Sequence, residues 1–276
     1  LEAAFGFRFV FWFGGFSAMY PTPQKLRPFL ASRLKIGRAA RHVATLRGEV
    51  AAYMARVPIY TDMWIDENDP KYMAFSLNIA EPIPMEWAPI IGDAVHNLRA
   101  SLDLLACEAV RLNGDSDAST YFPFAESAGE LETMIKRRMS GASDAAKDLV
   151  RSFQPYIGGN AALRGVHDLD IYDKHRALLP TAAQLNFPGG GVGLEEMIGR
   201  TGQPMMGTRL IESMPFGELK PGRSPVRFAL VFPRGGPFTG LEMVPTFEDL
   251  IQDFTRVVDA FESLYLGAVL EQDAPT

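Results

Sequence analysis

The stretch from Trp87 to Arg111 constrains the fold most, because it reads as one long helix with two unlike faces. Ile91, Ala94, Val95, Leu98, Leu102, Leu105 and Ala109 follow the three-and-four spacing of a single apolar stripe. Asp93, His96, Asn97 and Asp103 gather on the other side. Ala100, Leu104 and Cys107 share that second side, and a fully solvated surface has no need of them, so another element is expected to cover part of it. The helix thus has a core face and a chemically loaded face.

The segments around it predict a mainly α, helical-bundle fold with long first and last amphipathic helices and two small β insertions. From about Leu30 to Val57, Leu34, Ile36, Val43, Leu46, Val50, Tyr53, Met54 and Val57 mark a stripe, with Arg33, Arg38 and Arg41 mostly opposite and Pro58 ending the helix. Ile59–Ile65 and Tyr72–Ile79 read as a hairpin across the turn-rich Asp66-Glu67-Asn68-Asp69-Pro70. After Asn113-Gly114 and the aromatic anchor Tyr121-Phe122-Pro123-Phe124, helices are expected over 128–139, 143–153 and 161–179. Pro180 to Pro204 is Gly-rich. Its Pro188-Gly189-Gly190-Gly191-Val192-Gly193 run lacks the Lys-Ser/Thr ending of a phosphate loop and is expected to be irregular. Strands are expected over 208–214 and 226–232. In the last helix Phe247, Leu250, Ile251, Phe254, Val257, Val258, Phe261, Leu264, Tyr265 and Ala268 form an unbroken stripe, with Thr246 as the expected N-cap.

A chain of 276 residues, 47% apolar, can bury a substantial core, and we read residues 19–276 as one domain with a β-containing insertion around 180–240. Residues 1–18 stand apart. Phe5, Phe7, Phe9, Phe11 and Phe13 alternate there, Arg8 interrupts any membrane-length apolar run, and the stretch is expected to be an extension outside the functional protein, which would start near Met19. The net charge of −6 gives no global reason to expect nucleic-acid binding. The charge is nevertheless uneven. Gln24 to Arg56 holds eight Lys or Arg and one acid, whereas Gly240 to Thr276 holds eight acids and one base, so the two ends could pair. A single cysteine, Cys107, excludes an internal disulfide and fits a reducing, cytoplasmic setting. It reads as a packing residue.

Candidate chemistry lies in two polar clusters. Asp93, His96 and Asp103 project from the central helix, and a second helix bears Asp173, Lys174 and His175. If the two helices meet, His96 faces His175 with carboxylates beside each. Three arrangements fit. In the first, which we prefer, the cluster is a hydrogen-bonded staple between helices. In the second it performs general acid–base catalysis, with Arg99 or Lys174 stabilising negative charge, as metal-independent RNA cleavage requires. The third is a metal site. It is disfavoured, since no His-x-x-x-His or Glu-x-x-His pair is present and His167 and His175 stand roughly 12 Å apart along one helix. No cofactor motif is present.

The two motifs together resemble a family of uncharacterised bacterial and phage proteins. Its members show Gly-Asp-x-x-His-Asn-Leu-Arg-x-x-Leu-Asp, here Gly92 to Asp103, and a later Asp-Lys-His-Arg, here Asp173 to Arg176. The likeness runs from about Arg33 to Pro180, more weakly through the last helix, and brings no function with it. A more distant similarity is to HEPN domains, helical bundles that are often ribonucleases of toxin or phage-defence systems and use an Arg-x4-6-His motif. That resemblance implies a role for Arg99. Here Leu104 stands where family members often place the histidine, so any activity would run through His96 or His175 in a different arrangement. The basic first helix, with Arg33, Lys35, Arg38, Arg41 and Arg47, offers phosphate contacts, but Asp249, Asp253, Asp259 and Glu262 supply an internal counterpart.

The sequence therefore points to a binding or interaction protein, with an unknown protein partner or self-association and without a membrane span. The alternative is a HEPN-related metal-independent ribonuclease using His96, His175 and Arg99.

Overall fold

The computed structural model describes residues 28–65, 67, 70–175, 182–187, 190–193, 210–215, 222–225, 227–233 and 235–272. The aromatic extension over 1–18 lies outside them.

Among the described residues the chain is mainly helical. Helix α1 (Leu30–Ala55) buries Ser32, Ile36, Ala39, Val43, Leu46 and Tyr53, positions that alternate by four and three along one face. Two stripe residues fall outside the core, for Leu34 and Val57 are largely exposed. Arg33, expected opposite the stripe, instead points at the last helix. The reason is the seven-residue repeat of the buried face, which puts Arg33 beside Ser32 and Ile36 at its margin. Val57 takes a left-handed backbone (φ 53°) and Pro58 then prevents further helix.

Helix α2 (Trp87–Leu112) is the centre of the bundle. All seven residues of its expected stripe are buried, and they join one core with Phe122 and Ile135, Val150 and Leu163 of the following segments, and Phe247, Phe254 and Phe261 of the last helix. Fully burying such a side chain contributes about 1.5–3 kcal/mol, so this cluster dominates the stability of the bundle. Helix α3 (Ala128–Arg138) and helix α4 (Asp144–Phe153) follow the expected breaks, with Ser143 Oγ accepting from Ala146 N at 3.2 Å as the N-cap of α4. Helix α5 (Ala161–His175) starts on a second cap, Asn160 Oδ1, which accepts from Leu163 N at 3.1 Å. The continuation expected to Leu179 lies outside the described residues.

Helix α6 (Met243–Gln272) begins earlier than Thr246. Thr246 N donates to Glu242 O at 3.2 Å, so that threonine sits within the first turn and is not the cap. Pro245, also in that turn, lacks only an N–H that would have no helical partner. The oppositely charged helices do lie together. Arg33 binds Glu262 through Nε and Nη2, both at 2.7 Å, and Asp259 at 2.5 Å, while Arg47 pairs with Glu248. Tyr265 OH reaches across the bundle to Ala109 O at 2.9 Å.

The two β segments are not separate. Strands β1 (Ile59–Ile65) and β2 (Tyr72–Ile79) form the expected antiparallel hairpin, Ile59 opposite Ile79. Strand β5 (Leu210–Pro215) adds to β2 and β6 (Gly222–Pro225) to β1, so one four-stranded sheet in the order β5-β2-β1-β6 joins chain segments far apart in sequence. A second sheet, β4-β3-β7, contains β3 (Ala182–Phe187), β4 (Gly190–Gly193) and β7 (Arg227–Val231). The Gly-rich run expected to be irregular thus supplies a strand, because Phe187 and Gly190 begin an antiparallel ladder. Backbone pairing needs no side chains, and a run of glycines carries no period-two hydropathy that would announce it.

Candidate functional site

The two motif-bearing helices touch. Helices α2 and α5 run antiparallel, and Gly92, His96, Arg99 and Asp103 recur by four, three and four residues, which keeps them on one strip of α2. Gly92 opens the seam. A Cβ placed there would stand 2.6 Å from Asp173 Oδ2, so the absent side chain is what lets the Asp173 carboxylate lie against α2. The first residue of each motif is thereby in contact with the other.

One turn on, His96 Nδ1 lies 3.2 Å from Asp170 Oδ1. The Asp170 side chain is 6% exposed and the His96 ring 55%, a buried carboxylate holding a ring that reaches solvent. With the carboxylate ionised, the proton sits on Nδ1 and Nε2 is the basic nitrogen.

At the next turn Arg99 Nε donates to His167 Nδ1 at 3.1 Å. That bond demands the opposite tautomer, with the proton on Nε2. The His167 ring stacks on Phe124, centroids 4.3 Å apart and planes 6° from parallel, and the Arg99 guanidinium lies 4.6 Å from the centroid of the same phenyl ring. Burial first, then the nearby cations Arg99 and Arg164, push the His167 pKa down to about 4. His167 is therefore neutral near pH 7. Asp103 closes the seam. Its Oδ1 lies 2.6 Å from Arg99 Nη1, an ion-pair contact off the line of a hydrogen bond, and accepts from Phe122 N at 3.0 Å.

Asp93 does not belong to this strip. It faces α1, with Oδ2 4.0 Å from His42 Nε2, and its side chain is 64% exposed, because one residue after Gly92 is about 100° further round the helix. The side chains of Lys174 and His175 lie outside the described residues, and the partner that His96 does have is Asp170. Neither Asp170 nor His167 was singled out for this role by the sequence. A signal for His167 exists. Once Gly92 is set against Asp173, two antiparallel helices of equal rise bring Arg99, seven residues on, opposite residues 166–167.

Cys107 behaves as a packing residue, with its thiol against Thr120 O at 3.4 Å and its pKa raised chiefly by burial. Among the described residues no three His, Cys, Asp or Glu side chains group closely enough to hold a metal ion. No described helix is long and apolar enough to cross a membrane. Beside the seam an open cleft of about 610 Å³ is bounded by α3, the 121–126 segment, Arg99 and His167. None of the protein-family models, curated proteins or solved structures compared with the chain matches it.

Proposed function

We propose that this chain is a binding or interaction protein of the bacterial and phage-type family its paired motifs resemble, with the α2–α5 polar seam acting as a staple. The observation that carries this reading is the Arg99–His167 bond. It occupies Nδ1, the one basic nitrogen of the neutral ring, and takes the Arg99 Nε–H that a substrate anion would otherwise receive. With these two atoms bound to each other, neither is offered to a substrate. The basic first helix adds little to an RNA-binding reading, since Arg33 and Arg47 pair with α6 acids and Arg38 donates to His42 at 3.1 Å.

One observation favours the second reading, a HEPN-related metal-independent ribonuclease. His96 is half exposed and its Nδ1 is bound to a buried carboxylate, which orients an imidazole for proton transfer through Nε2. In that reading His96 is the acid–base group, with His175 and Arg99 as the further residues implied by the resemblance. Incubation of a labelled RNA panel with the purified chain, with and without chelator and beside His96→Ala, separates the two. The staple reading expects intact RNA throughout. Cleavage that survives chelation and disappears in His96→Ala would establish the nuclease instead.

A further inference from the structure

Helix α3 presents Glu130, Met134 and Arg138 to the cleft, at successive intervals of four residues. At 1.5 Å rise per residue the two charged positions stand about 12 Å apart along the helix, with the methionine midway. The other charges around the cleft are matched, Arg99 by Asp103 at 2.6 Å and Glu126 by Arg164 at 3.0 Å. Glu130 and Arg138 are not: among the described residues neither has an ion-pair partner. Arg138 lies over the half-exposed Tyr121 ring, 5.3 Å from its centroid. Lys136 and Arg137, exposed in the same last turn, are ordinary helix-end cations. Arg138 differs in being partly buried at the edge of a cleft, where the Tyr121 ring faces its guanidinium but no described carboxylate does.

We infer that this groove takes an extended segment of a partner protein carrying an acidic, an apolar and a basic side chain at alternate positions. The inference rests on the interaction reading above and names the surface and the chemistry of its partner. In an extended chain, residues i, i+2 and i+4 project to one side, and a rise of about 3.3 Å per residue sets the first and third about 13 Å apart. That spacing matches the α3 row. The acidic side chain meets Arg138, the apolar one meets Met134, and the basic one meets Glu130 with Glu126 close by. The arrangement is dipolar, so it discriminates against segments of uniform charge.

The test is fluorescence polarisation of a fluorescein-labelled, end-capped pentapeptide Glu-Thr-Leu-Thr-Lys titrated with the full chain. Glu-Thr-Leu-Thr-Glu and Lys-Thr-Leu-Thr-Lys serve as comparators. The mixed peptide should bind at least about tenfold more tightly than either, a factor of ten being 1.4 kcal/mol. Arg138→Gln should remove most of the preference over Lys-Thr-Leu-Thr-Lys while the circular dichroism spectrum and melting midpoint stay unchanged. Glu130→Gln should weaken the mixed peptide and spare the all-acidic one. Equal binding of all three peptides, or none, overturns the assignment. If the RNA panel is also intact, the groove assignment alone fails and the interaction reading stands. A labelled pentanucleotide that binds in preference to every peptide and is released by Arg138→Gln would replace the peptide with RNA.

Discussion

Two polar seams join helices around the apolar core, and they work by different physics. Between α1 and α6 a bidentate Arg33–Glu262 pair sits at the edge of an aromatic contact, in which Phe29 packs edge-on against Phe261 and Tyr265 at 5.9 and 5.5 Å. Hydrogen bonds that Arg33 donates to Glu262 raise the Arg33 pKa further above its ordinary value, so the guanidinium is charged at every pH the protein meets. Between α2 and α5 the joint is a ladder of a notch, a carboxylate-held imidazole and a neutral imidazole bound by arginine. The first seam keeps its cation at any pH and fails through loss of a charge partner. The second depends on a histidine staying neutral, and acid should loosen it.

Removing the arginine of the first seam is the largest single blow we expect. Arg33→Ala removes both hydrogen bonds that Arg33 donates to the nearly buried Glu262 carboxylate and should lower unfolding stability by about 3 kcal/mol in urea titrations. That is the low end for a broken buried pair, since a quarter of Arg33 reaches water. A loss as small as that of an exposed pair would show that Glu262 is rescued by solvent and would erase the contrast between the seams.

The pH dependence sharpens the comparison. Folded His167 takes its proton only near pH 4, whereas the unfolded chain takes it near 6.5, so the unfolded state binds the extra proton between those values. Stability is then full above about pH 6.5 and falls as pH drops toward 4. From pH 7 to 4.5 we expect a loss of about 2 kcal/mol, discounted from the full shift because the ring is partly open to the cleft. His167→Phe keeps a ring on Phe124 and should flatten that part of the pH profile. An unchanged slope in the variant would remove His167 as the cause.

A smaller effect tests the notch. Alanine in place of glycine in a helix interior normally gains about 1 kcal/mol. At position 92 the added methyl meets the Asp173 carboxylate, so Gly92→Ala should gain nothing, and the gain should return in an Asp173→Ala background. The resulting coupling of about 1 kcal/mol in a double-mutant cycle would measure the contact between the two motifs. Additive single effects would place Asp173 elsewhere in solution. Smallest of all is Arg56→Ala. Its pair with Glu81 at 2.8 Å is solvent-exposed and screened, and the denaturation midpoint should not move measurably.

The helices and hairpin were legible because hydropathy period reports local geometry directly. The α2 stripe from Ile91 to Ala109, the Ile59–Ile65 and Tyr72–Ile79 pair, and the opposite charges of α1 and α6 all follow from spacing and sign. What the tertiary structure decided is which polar groups meet. Asp93 and His96 are three apart and looked like one cluster, yet a rotation of about 60° sends them to different neighbours, His42 and Asp170. His167 carried no local signal, because its low pKa, its tautomer and its stack arise from Arg99 and Phe124, which are 68 and 43 residues away in sequence. Likewise β5 and β6 close a sheet with β1 and β2 through backbone hydrogen bonds to which side-chain pattern is blind. Periodicity within one element is a property of the sequence. The protonation state and partner of a buried polar group belong to the field of everything packed around it, and that exists only once the chain has folded.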